Sequence, residues 1–137
     1  MARRSPGALR AARATQPDPH HRPIDGVSRR TDEAIARLPL AVADALSRYR
    51  AAVRAPGRWL RLSPDDSTCP QCSVIDQRDT IEEAMRMLPP PARRELSRVV
   101  APLDAEFRRR TLPDPARATL TDWHAAAWWR RRVHDYY

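Results

Sequence analysis

Between residues 35 and 53, Ile35, Leu38, Val42, Leu46, Tyr49 and Val53 follow one another at spacings of three or four positions. A helix with 3.6 residues per turn puts such a set on one face, whereas a strand with its two-residue repeat scatters it. The stripe therefore fixes a helical element with one face to bury. Thr31, followed by Asp32 and Glu33, reads as its N-terminus, with a hydroxyl to cap and carboxylates that suit the positive end of the helix dipole. Pro39 interrupts the run. Because the stripe stays in phase through it, one kinked helix is expected in preference to two. Pro56-Gly57 closes the element.

The same periodicity recurs downstream. Arg58 to Leu62 suits a short extended segment, and Ser63 to Asp79 is polar. Thr80-Ile81-Glu82-Glu83 fits a capping box, predicting a short helix with Ile81, Ala84, Met85 and Leu88 on its apolar face. Pro89-Pro90-Pro91 ends it. A longer helix follows through Leu96, Val99, Val100, Leu103 and Phe107, bent at Pro102, and Leu112-Pro113-Asp114-Pro115 is a break. Thr121 or Asp122 can cap a last helix carrying Trp123, Trp128, Trp129 and Val133. The expected fold is all-α, a small bundle of four or five helices. It divides into a flexible basic arm over residues 1–30 and a single helical domain over 31–137. The arm holds four of the fourteen prolines and almost no large apolar side chains.

All 25 basic residues are arginine, and lysine and asparagine are absent. Those biases follow GC-rich codons, so arginine content alone does not indicate nucleic-acid binding. The distribution of charge says more, because Asp and Glu also have GC-rich codons. Residues 1–30 carry seven Arg and two acids, 31–107 eleven Arg and twelve acids, and 108–137 seven Arg and three acids. The middle is balanced and the two ends hold the excess, as in a polyanion-binding protein. No apolar run approaches the ~20 residues of a membrane span. The N-terminus has Arg3-Arg4 without an apolar stretch behind it, so no secretory leader is expected and a cytoplasmic location is.

Two cysteines, Cys69 and Cys72, form Cys-Pro-Gln-Cys in the polar stretch. Two thiolates at that spacing can hold one side of a tetrahedral Zn²⁺, making zinc the candidate cofactor and these residues its candidate ligands. The other two ligands have no obvious source: His124 and His134, ten residues apart, do not share a helix face, although a dimer could bring a second pair. A dithiol redox site would need a helix directly after the motif to stabilise a thiolate, and the sequence places the next apolar segment only near Ile81. No phosphate-cradling glycine loop or nucleophile elbow is present among three glycines, and Asp65-Asp66 and Glu82-Glu83 are adjacent carboxylates that point apart. No enzyme is expected.

The tail Trp128-Trp129-Arg130-Arg131-Arg132 interleaves indoles with arginines. Guanidinium groups neutralise phosphates and indole faces stack on bases. Arg3, Arg4, Arg10 and Arg13 of the arm, with Trp129, Arg130, Arg131 and Arg132, are accordingly the candidate nucleic-acid contacts. The competing assignment docks one of the adjacent tryptophans, with Trp123, on the bundle while the arginines face water.

The order Cys69-Pro70-Gln71-Cys72, Leu88-Pro89-Pro90-Pro91-Ala92-Arg93-Arg94-Glu95-Leu96, Arg110-Thr111-Leu112-Pro113-Asp114-Pro115 and Trp128-Trp129-Arg130 resembles a group of small actinomycete proteins over roughly residues 59–132. The resemblance implies a high-GC bacterial origin and brings no activity with it. The function expected is a non-enzymatic binding or accessory protein whose basic ends meet nucleic acid or another polyanion. The alternative is a zinc-stabilised protein–protein adaptor, dimeric or not, built on the cysteine loop, and the third choice is a small dithiol redox protein.

Overall fold

The computed structural model describes residues 18–60, 74–113 and 127–133. They form four α-helices, α1 (Arg29–Ala36), α2 (Val42–Val53), α3 (Val74–Met87) and α4 (Pro90–Arg109), with a 3₁₀ turn at Trp128–Arg131. Two two-residue strands, β1 (Leu112–Pro113) and β2 (Arg132–Val133), pair antiparallel with Leu112 opposite Val133 and Pro113 opposite Arg132. The chain is a small all-α bundle, as its periodicity implies.

The apolar stripe is buried as expected, but on two helices. Ile35, Val42, Leu46, Tyr49 and Val53 are all at most 2% exposed, yet α1 stops at Ala36 and α2 starts only at Val42. Pro39 lies in the turn between them and is not a kink in one helix. Both helices turn their apolar face to the same core, and so the spacing stays in phase across the break. Ile35, Tyr49, Ile81, Leu96 and Phe107 form the centre of that core. Tyr49 and Phe107 pack with ring centroids 6.2 Å apart, and Trp128 meets Phe107 edge-on at 5.6 Å.

Two helix starts differ from expectation because better-placed groups take the role. Ser28, not Thr31, caps α1: its side chain accepts from the Thr31 N–H at 3.3 Å. Thr80 is no cap, since α3 is already helical at Val74 and the Thr80 hydroxyl donates back to the Asp76 carbonyl at 3.1 Å. The proline run does two things at once. Pro89 occupies the N-cap of α4, while Pro90 and Pro91 fill its first positions, where a missing N–H costs no helical bond. The first α4 bond runs from Arg93 N–H to the Pro89 carbonyl at 2.9 Å. Helix α4 continues through Pro102, which sits on its exposed side where water can replace the lost bond.

The boundary expected after residue 30 falls inside packed structure. Asp32 Oδ1 accepts from the Ile24 N–H and bonds His21 Nε2, each at 2.9 Å, and Ile24 is buried. Glu95 of α4 accepts from the Ser28 N–H at 2.9 Å and from the Ser28 and Thr31 hydroxyls. Residues 18–30 are held by carboxylates on the helices, a kind of anchor that apolar periodicity does not register. Gly26 permits the close approach, with φ +89° and Val99 3.1 Å from where a Cβ would stand.

Candidate functional site

Helix α3 presents Arg78 inward, where it is 4% exposed. Its guanidinium donates to Asp104 of α4 through Nε and Nη2 at 2.9 and 3.0 Å, and to Glu82 one turn along at 3.0 Å. The Tyr49 hydroxyl of α2 donates to the same Asp104 at 2.7 Å. Burial and the Asp104 carboxylate together push the Tyr49 phenol well above its ordinary value, so it stays a neutral donor. Burial works against the charge on Arg78, but the bonds to Asp104 and Glu82 outweigh it and hold the cation. One buried ion therefore ties three helices together.

The tail completes this cluster. Trp129 is 2% exposed, with its ring 4.1 Å from the Arg78 guanidinium carbon. Its indole Nε1 donates to Asp79 Oδ1 at 2.7 Å, and Arg130 binds the two oxygens of the same carboxylate. Arg132 donates to the Thr111 hydroxyl at 2.9 Å and to the carbonyls of Arg108 and Thr111 at 2.8 and 2.7 Å. Arg108 in turn lies 3.9 Å over the Trp128 ring.

This arrangement matches the competing assignment for Trp129 and adds the arginines to it. Trp129 offers no free face to a base, because both the core and Arg78 already occupy it. Arg130 and Arg132 spend their donors on Asp79 and on backbone carbonyls, and Arg131 is half-buried and engaged within the fold. The tryptophan docks, and the arginines dock with it. Nor do residues 128–133 continue a helix, since they make the 3₁₀ turn and then β2. Trp123 and the proposed cap at Thr121 or Asp122 lie outside the described residues, as do Arg3, Arg4, Arg10, Arg13, Cys69 and Cys72. Among the described residues no group of three or more His, Cys, Asp or Glu is placed to hold a metal, and no helix is long and apolar enough to cross a membrane.

A different basic surface does emerge, on the outer side of α4. Ala92, Leu96, Val100, Leu103 and Phe107 face inward, so the helical repeat sends Arg94, Arg98, Arg108 and Arg109 outward, and all four are exposed. Arg109 pairs with Glu106, whose carboxyl it holds below the usual range. Arg94 and Arg98 make no hydrogen bond to any described carboxylate. Between these two pairs the exposed positions are Ala101, Pro102 and Ala105, and the one flanking acid there, Glu106, is taken by Arg109. The signal was present in the sequence as arginines at the angle opposite the Leu96–Phe107 face.

No family model, curated protein or solved structure matches the chain. Its chemistry is legible only from its own residues. The cysteine motif gains one relation from the fold: α3 is helical by Val74, two residues beyond Cys72, whereas the apolar rhythm of the sequence begins only near Ile81.

Proposed function

We propose that the protein is a non-enzymatic binding protein for a polyanion, with nucleic acid as the partner class, and that the outer face of α4 carries the contact. The supporting observation is the exposed stripe of Arg94, Arg98, Arg108 and Arg109, in which Arg94 and Arg98 bond no described carboxylate. Guanidinium groups along a 20-residue helix can follow a phosphate backbone without reading bases, and Arg3, Arg4, Arg10 and Arg13 add charge from the arm. The tail contributes structure to this reading, by fixing Arg108 over Trp128. The test is the salt dependence of binding to labelled single- and double-stranded oligonucleotides. Affinity falls steeply between ~50 and ~200 mM salt, and replacing Arg94 and Arg98 with alanine flattens the logarithmic slope by nearly one unit for each phosphate left without its guanidinium. Binding that ignores salt defeats the proposal.

A second reading, a zinc-stabilised adaptor or a dithiol centred on Cys69 and Cys72, is supported by the Cys-x-x-Cys spacing itself. Elemental analysis of protein never exposed to chelator decides the zinc form. Less than about a tenth of a zinc per chain excludes a structural site, which holds metal tightly. Iodoacetamide labelling that tracks a thiol pKa near ~8.5 excludes the dithiol form.

A further inference from the structure

We propose that the cleft between residues 22–25 and α2 is a binding site for a single phosphate group. Arg22, Asp25, Ser47 and Arg50 line it over a base that includes Ile24 and Leu46, and its volume is about 160 Å³. Ile24 is 8% exposed and Leu46 2%, so the cleft rests on apolar core, which strengthens any ion contact made there. Ser47 and Arg50 are three residues apart on α2 and share a side of it. Arg22 stands on pinned backbone: His21 and Ile24, on either side of it, both bond Asp32 Oδ1 at 2.9 Å.

Two guanidinium groups without a bonded side chain, brought together in one cavity, distinguish this cleft. Most arginines around the core are spoken for: Arg78 by Asp104, Arg130 by Asp79, Arg110 by the Val53 and Gly57 carbonyls, Arg93 by the Met85 and Leu88 carbonyls. Arg22 and Arg50 line a shared cavity and hydrogen-bond no described side chain. Asp25, in the same wall, forms an ion pair with neither. Two cations and a hydroxyl donor face one carboxylate, an excess that matches a phosphate's charge and acceptors. The size agrees. Ligand pockets for whole small molecules run to ~300 Å³ and above, whereas this cleft has room for one phosphate and a few waters.

The inference deepens the polyanion reading, on which it rests for the claim that the phosphate arrives on a nucleic acid; the cleft itself is tested without one. The full chain, ¹⁵N-labelled, is titrated with inorganic phosphate at low ionic strength while the arginine Nε–H resonances are followed. Arg22 and Arg50 shift together and saturate with one dissociation constant. Arg22→Ala or Arg50→Ala weakens that constant about tenfold or more, as expected for one missing charge-assisted bond. Asp25→Asn tightens it by removing the competing charge. Circular dichroism confirms that each variant is folded, and Ser47→Ala provides a milder third probe. Unsaturable drift spread over all the arginines, or variants that bind as wild type, overturns the site.

A 5′-phosphorylated oligonucleotide and its unphosphorylated twin then separate the sources. Equal competition by both supports a backbone phosphate, and competition by the phosphorylated one alone supports a terminal phosphate. If inorganic phosphate saturates the cleft while neither oligonucleotide binds anywhere, the cleft stands and the polyanion reading falls.

Discussion

Arg78 and Asp104, on α3 and α4, face each other with two parallel N–H···O bonds of 2.9 and 3.0 Å, and their side chains are only 5% and 15% exposed. Removing one partner of such a pair leaves the other charge buried and unpaired, which costs about 3–5 kcal/mol, whereas replacing the whole set by apolar groups is often neutral. Arg78→Met is therefore expected to lose about that much stability in urea unfolding. The triple variant Arg78→Met, Asp104→Leu, Tyr49→Phe, which also removes the hydroxyl that would lose its acceptor, recovers most of it. A single variant within about 1 kcal/mol of wild type would show that the pair is solvated in practice.

Glu95 sets an acid limit on the anchoring of residues 18–30. The Thr31 hydroxyl and the Ser28 N–H and hydroxyl hold its carboxyl below the ordinary 4.5. A carboxyl depressed in the folded state stabilises above its unfolded value and loses that contribution as pH falls through the folded one. The melting temperature of wild type exceeds that of Glu95→Gln at neutral pH, and the gap closes as pH drops below 4.5. A gap independent of pH would assign the effect to shape and not to charge.

Trp129 makes the tail part of the domain. Truncating a buried aromatic costs about 3–5 kcal/mol, so Trp129→Ala is expected to lower the melting temperature sharply. Trp129→Phe keeps most of the ring but leaves Asp79 to Arg130 alone, a loss of about 1 kcal/mol. Thermal denaturation orders the two variants, and a Trp129→Phe melting point equal to that of wild type would mean that the indole N–H contributes nothing.

Gly26 tests backbone freedom at one position. A side chain at φ +89° is strained, and its Cβ would meet Val99 at 3.1 Å. Gly26→Ala is expected to destabilise by about 1–2 kcal/mol in chemical unfolding. Amide exchange should show the loss concentrated between residues 21 and 28, where the segment crosses α4.

The all-α fold was legible because burial of Ile35 through Val53 and of Leu96 through Phe107 leaves a helical spacing in the chain. The break at Pro39 was not, since two helices sharing one core keep that spacing in phase. Thr80 misled for a related reason: a capping box is a local pattern, and the helix around it begins earlier, next to a polar stretch without apolar rhythm. The anchoring of Ser28 by Glu95 joins residues 67 apart through polar groups, a relation that no local pattern encodes. The tail carried an ambiguous signal. Trp-Trp-Arg-Arg-Arg suits a phosphate surface and a docked turn equally, and only the positions of Asp79, Arg78 and Thr111 decide between them.

The pairing of Leu112–Pro113 with Arg132–Val133 acts as a clasp on the chain. Its two sides lie about 4.8 Å apart, as neighbouring strands do, and the turn that buries Trp129 runs directly into β2. Opening the clasp would therefore also loosen the seat of Trp129, so the two strands and the buried turn stand or fall as one unit.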